Sequence, residues 1–197
     1  MLAGVWLAYY SFGLTAVSLA PVVGVISSDL GLNHSTMGAI LGAWQLVYIG
    51  TAIPCGALLD QIGLRRSLFL GVVLVGLSGT LRAFAVDEIT LFLAVGLFGF
   101  GGPLSSIGAP KAVSQWFERS ERGLAMGVYM TAVAFGGISS LSLTNSILMP
   151  VFDGAWRSVL LTYAAFVLVC ALVWLVVASH PAARAAEAQA ARAPRQP

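Results

Sequence analysis

Long stretches of this chain carry no charged side chain, and their lengths decide what it can fold into. No Asp, Glu, Lys or Arg lies between Met1 and Asp29, Asp29 and Asp60, Glu88 and Lys111, Arg122 and Asp153, or Arg157 and Arg184. Each gap exceeds the ~20 residues that cross a ~30 Å hydrocarbon core. A further run, 67–81, is shorter. It reaches spanning length only if Arg82 snorkels to an interface and residues 83–86 complete the helix. Charged residues make up only 9% of the chain and hydrophobic ones 58%, whereas soluble domains carry about 25% charged residues. The chain therefore takes lipid as its main solvent. It reads as an all-α membrane protein of six transmembrane helices, roughly 4–27, 36–59, 67–86, 89–110, 123–148 and 157–179. Residues 1–179 form the membrane domain. The Ala/Arg/Pro/Gln-rich tail over 180–197 has nothing to bury and is expected to be disordered.

The remaining charges orient the chain. Arg65, Arg66, Lys111, Arg119, Arg122, Arg184, Arg192 and Arg195 fall on one side and Arg82 and Arg157 on the other. The positive-inside rule then puts both termini in the cytoplasm, in a bacterial inner membrane. A net charge of +2 without a basic run excludes nucleic acid as a partner. The first apolar run lacks a basic n-region and is too long for a signal peptide. Cys55 and Cys170 lie in different apolar runs, and no Cys/His spacing suits a metal, so neither metal nor cofactor is expected.

One stretch concentrates charge between two apolar runs. Gly56, Leu58, Asp60, Gly63, Arg65 and Arg66 resemble the loop between the second and third helices of the major facilitator superfamily, while Gln61 and Leu64 depart from it, each removing a basic residue. The segment 116–127, with Trp116, Phe117, Arg122, Gly123, Ala125 and Gly127, is similar to the loop before that family's fifth helix. The resemblance implies one six-helix half of a twelve-helix fold, built as a 3+3 inverted repeat. Asp153 and Arg157 faintly echo Asp60 and Arg66 at the inverted position. It also implies alternating-access transport of a small solute, with Gly56, Asp60, Gly63, Arg65 and Arg66 as a conformational gate. Asp60 would meet a helix N-terminus of the second half, and Arg65 or Arg66 would pair with Glu118 or Glu121. The segment 43–49 looks like members that carry small anions of the cyanate or nitrate type.

Polar residues within the apolar runs are the candidates for a solute pathway. Gln45 and Tyr48 are three apart and share a helix face. A Gln amide facing lipid leaves its donors and acceptors unmade, so Gln45 packs against protein or faces a watery cavity. Tyr9 or Tyr10 is either an interfacial aromatic or a cavity residue. Arg82 is either an interface anchor or an anion-attracting charge at the external mouth. Helix 4 crowds Gly96, Gly99, Gly101, Gly102, Pro103 and Gly108 around Ser105 and Ser106. Its glycines suit close packing against helix 5, which has its own Gly136 and Gly137, and its serines suit a cavity. Pro103 frees one carbonyl at membrane depth, where a solute can use it. Asn145 adds a polar group near the outer end of helix 5.

Two other classes were weighed. An intramembrane serine protease needs a Gly-x-Ser-Gly nucleophile and a His on a neighbouring helix. Ser105 and Ser106 lack that setting, and His34 and His180 fall at opposite faces. A non-transporting half-transporter, whether scaffold or inactive truncation, fits the composition equally well. Transport itself is expected to require a second six-helix half, supplied by another chain, a further segment or a second copy.

Overall fold

The computed structural model describes residues 1–181. The expected disordered tail lies outside them, apart from His180 and Pro181. Six helical spans are present: α1 (Leu2–Leu30), α2 (His34–Ile62), α3 (Leu64–Ala83), α4 (Glu88–Trp116), α5 (Arg122–Val151) and α6 (Trp156–Ser179). Among the described residues there is no strand. That is the outcome a membrane demands, because a helix satisfies its own backbone while an open strand edge does not.

The spans are longer than their apolar cores, and this changes the reading of the loops. α2 runs on to Ile62 and α3 begins at Leu64, so the expected loop 60–66 shrinks to Gly63 alone. Gly63 has φ 85°, a conformation that excludes most side chains. Asp60 thus lies in the last turn of α2, and Arg65 and Arg66 lie in the first turn of α3. α4 likewise continues past residue 110 to Trp116, which places Lys111 on a helix. At its start Asp87 forms a capping box with Thr90, accepting the Thr90 backbone N–H at 2.8 Å and its hydroxyl at 2.7 Å. The Thr90 N–H first, and its hydroxyl second, hold the Asp87 carboxyl below the usual carboxylate range. The cap's support is complete above the unfolded-state pKa and fades as pH falls through the lowered value.

Two spans are not continuous α-helix. α1 is α-helical over Leu2–Val17, turns once as a 3-10 helix over Ala20–Val22 with Pro21 inside it, and resumes over Val23–Leu30. α5 is α-helical over Arg122–Leu143 and passes through a π segment over Thr144–Leu148 before Met149–Val151.

α2, α4, α1 and α5 pack side by side in that order, and α3 and α6 back the middle of the layer. Glycines set the crossings. A Cβ on Gly136 would stand 2.3 Å from the Tyr10 carbonyl of α1, and one on Gly13 2.2 Å from the Val133 carbonyl of α5. A Cβ on Gly99 would stand 2.6 Å from the Trp44 carbonyl of α2, and one on Gly101 2.8 Å from the Gly71 carbonyl of α3. The helix-4 glycines therefore pack on α2 and α3, not on α5 as their crowding suggested. Gly136 serves α1 instead. Sequence crowding shows that a helix has close neighbours but carries no label for which ones.

Gly136→Ala is expected to destabilise the protein by about 1–3 kcal/mol, the usual penalty for overpacking. A Cβ on Gly127 meets nothing within 4 Å, so Gly127→Ala should stay within about 0.5 kcal/mol. Thermal unfolding of the two variants in the same detergent measures the contrast.

Candidate solute pathway and end clamps

The structure unites two of the proposed pathway residues. Tyr48 on α2 and Ser106 on α4 share a hydrogen bond, OH to Oγ, of 2.7 Å. The ring of Tyr48 fits there because residue 102 is glycine, whose Cβ would stand 2.9 Å from Tyr48 Cδ2. Aromatic rings surround this contact. Trp44 meets Tyr48 edge-on at 6.2 Å and Phe98 edge-on at 5.3 Å. Phe12 stacks on Phe98 at 5.0 Å, and Tyr9 stacks on Phe12 at 5.7 Å. α1, α2 and α4 thus share one half-buried aromatic cluster with hydroxyls at its edge. Sequence reading picked out Tyr48 but missed Phe12, Trp44 and Phe98. The i, i+4 spacing of Trp44 and Tyr48 was the available signal.

The other candidates fall elsewhere. Gln45 is exposed on α2, whereas Tyr48 is half-buried. Ser105 does not join Ser106. It is 1% exposed and lies against α3, where a Cβ on Gly71 would come within 2.9 Å of its hydroxyl. Asn145 is exposed in the π segment of α5, and its Nδ2 donates to the Pro21 carbonyl of α1 at 3.4 Å. Arg82 is not an interface anchor. It is 1% exposed and donates from Nη1 to the Thr15 carbonyl at 2.8 Å. α1 continues past its contacts with Arg82 at Thr15 and Ser18 to Leu30, and its Leu19, Val22 and Ile26 share a buried cluster with Ala83 and Ala85, so the end of α3 is enclosed. The carbonyl freed by Pro103 is also occupied, because Gly99 O accepts from Thr51 Oγ1 of α2 at 3.0 Å.

Charge pairs stand at the two ends of the bundle. Lys111 Nζ lies 2.5 Å from Asp60 Oδ1, joining the end of α4 to the end of α2. Asp60 therefore has a partner within this half, beside the helix N-terminus of a second half that the resemblance implies for it. At the opposite end Arg157 Nη1 donates to Asp29 Oδ2 at 2.6 Å, and Trp156 Nε1 donates to the same oxygen at 3.2 Å. Arg157 Nη2 reaches the Ala85 carbonyl at 3.2 Å, tying α1, the turn after α3 and α6 together. Among the gate residues, Gly56 sits within α2 with its nearest side-chain neighbour 4.0 Å from a built Cβ. Arg65 is half-buried with its carbonyl accepting from Trp174 Nε1 at 2.9 Å, and Arg66 is exposed. Glu118 and Glu121 are exposed in the turn before α5. A groove of about 400 Å³ opens between the starts of α2 and α4, lined by Ser35, Thr36, Ile40, Glu88 and Phe92, well away from Tyr48.

Tyr48→Phe and Ser106→Ala are each expected to lower stability by about 0.5–1.5 kcal/mol, and the double variant by little more than either. A double-mutant cycle on unfolding of the purified protein checks this. Simple additivity would mean that the two hydroxyls do not interact.

The family model described as Major Facilitator Superfamily matches residues 1–197. The chain is 29% identical over 154 residues to the probable L-galactonate transporter of Escherichia coli, covering 77% of this chain and 33% of that protein. It is 31% identical over 164 residues to a methyl viologen resistance protein of Salmonella typhimurium, covering 83% of this chain and 32% of that protein. A solved bacterial homolog of the human lysosomal transporter Spinster, inward-facing and occupied, superposes with a TM-score of 0.76 at 19% identity. That match covers 91% of this chain and 44% of the other, and shows a shared fold. The chain thus spans about a third of the length of these two curated relatives. It is an integral membrane protein of six apolar helices, and it belongs to the Major Facilitator Superfamily.

Proposed function

We propose that this chain is one half of a secondary transporter that moves a small solute by alternating access against a second six-helix half. The observation that carries this reading is the uneven burial of the four-helix layer. Only 17% of the most apolar window of α2 is buried, and 33% of that of α5, against 67% for α4. Both flanks of the layer are open, and they are not uniformly apolar. Gln45 on α2 and Ser142 and Asn145 on α5 stand exposed among apolar neighbours. Polar groups facing hydrocarbon are unfavourable unless protein or water meets them. A second half laid against these flanks would supply protein at the seams and a watery cavity between them. The Tyr48–Ser106 hydroxyls and the aromatic cluster would then contribute this half's share of the solute pathway.

The end pairs suit a reversible motion. Lys111 and Asp60 are 36% and 64% exposed, and such pairs contribute about 0.2–1 kcal/mol. A contact of that size biases a conformational equilibrium without locking it. We place the Asp60–Lys111 end in the cytoplasm of a bacterial inner membrane, on the distribution of basic residues.

The solute is assigned only as small. The two relatives above are named for a sugar acid and for resistance to an organic cation, which does not favour the cyanate or nitrate group over others. Their names agree in pointing to solute transport and not to enzymatic chemistry.

In liposomes, the chain alone, shown by cross-linking to be monomeric, should take up none of a panel of labelled galactonate, nitrate and methyl viologen. Uptake of at least one should appear when a second six-helix half is joined or co-reconstituted. Uptake by the monomer would overturn the reading. In the complete transporter, Asp60→Asn and Lys111→Met should show a coupling of about 0.2–1 kcal/mol in a double-mutant cycle on the inward–outward equilibrium, read by spin-label distances.

A further inference from the structure

Arg82 is held by one edge only. Its Nη1 donates to the Thr15 carbonyl at 2.8 Å and to Ser18 Oγ at 3.2 Å, both on α1. Its guanidinium lies over the Phe98 ring of α4, with Cζ 5.4 Å from the centroid. Nε and Nη2 have no hydrogen-bond partner among the described residues, although the side chain is 1% exposed. The ion pairs Lys111–Asp60 and Arg157–Asp29 stand at the ends of the bundle, and neither includes Arg82. An arginine does not escape this situation by losing its proton. Buried charge is tolerated when it is paired or fully hydrogen-bonded, and half of this group is neither.

The unused half has a definite shape. Nε–H and the adjacent Nη2–H point the same way along one edge of a planar group. That edge grips two oxygens of a carboxylate-like anion with two parallel hydrogen bonds. Nη1, on the far side, is occupied by α1. The Phe98 ring and the helix walls keep water away, which strengthens any charge-assisted bond made there. Beside Arg82 stands the least regular backbone of α1, the passage from Ser18 through the 3-10 turn at Ala20–Val22. This wall yields more readily than a continuous helix would.

We propose that the Nε/Nη2 edge of Arg82 is a binding site for a small planar oxyanion, of nitrate or carboxylate type, between α1, α3 and α4. The site deepens the transport reading and rests on it only for the anion's role as cargo. Binding itself is a property of this chain.

The test uses the whole chain in lipid nanodiscs with ¹⁵N-labelled arginine side chains. Sodium nitrate and sodium formate are titrated at constant ionic strength, with chloride as the spherical control. The Arg82 Nε–H resonance, assigned by its loss in Arg82→Lys, is expected to shift saturably with nitrate and formate and not with chloride. The resonances of Arg65 and Arg157 should hold still. Arg82→Lys keeps the charge but loses the fork, and should weaken nitrate-dependent thermal stabilisation at least tenfold in apparent affinity. If that variant does not fold, single Arg→Lys variants at the other eight arginines, 65, 66, 119, 122, 157, 184, 192 and 195, assign the resonance by elimination in a folded protein. A resonance indifferent to nitrate and formate, or shifted equally by chloride, overturns the site. Saturable binding without uptake by the complete transporter would uphold the site and count against the transport reading.

Discussion

Helices in lipid gain nothing by hiding apolar surface from one another, so this bundle depends on how closely its backbones approach. α4 makes two such approaches. Gly99 lets it lie against α2 and Gly101 lets it lie against α3, and 67% of its most apolar window is buried. The α1–α5 crossing repeats the device from both sides, with Gly13 facing the Val133 carbonyl and Gly136 facing the Tyr10 carbonyl. A side-chain contact follows from the same device. Tyr48 reaches Ser106 only because Gly102 leaves room for its ring.

Close packing also decides where the broken backbone finds its partners. Pro103 takes one donor from α4, and the freed Gly99 carbonyl is met by Thr51 from the helix that Gly99 admits. The break in α1 leaves carbonyls near Ser18 and Pro21. Arg82 meets the Thr15 carbonyl from α3, and Asn145 meets the Pro21 carbonyl from the π segment of α5. The two irregular segments thus lie side by side, and the π segment lends a donor to the break in α1, as hydrocarbon requires of any non-helical backbone. An arginine near the end of a broken helix also favours its partial negative charge.

Much of this was legible in the residues. Gaps between charges located all six spans, because charge in hydrocarbon is unfavourable whatever the fold. The stretch 56–66 pointed to the family by its pattern of residues, and within it Gly63 takes a positive φ between two helices that almost touch in sequence. The reading failed where a property depends on a partner far along the chain. Lys111 stands 51 residues from Asp60, and nothing local to either marks the other. Ser105 and Ser106 are adjacent in sequence and point to different helices, a distinction set by the phase of α4 against its neighbours. Arg82 looked like an interface residue because it ends an apolar run. Its burial follows from the continuation of α1 past it to Leu30, which no property of α3 discloses.

The distribution of tight and loose contacts bears on how such a half can move. Where a Cβ would come within 3 Å of backbone, as at Gly13, Gly99, Gly101 and Gly136, a small relative shift of the helices opens a void or creates a clash, and packed interiors do not deform continuously. The Asp29–Arg157 contact adds a tie from α1 to α6 at one end, and Asp60–Lys111 adds one from α2 to α4 at the other. No comparable constraint acts on the outward faces of α2 and α5, where Gly38, Gly42, Gly50 and Gly127 meet nothing within 4 Å. Under the transport reading, the motion therefore falls outside the half, at its flanks, and the six helices turn together as one body. The weak, exposed Asp60–Lys111 pair then matters less as glue for α2 and α4, which Gly99 already joins, than as a charge that a neighbouring half can borrow and return.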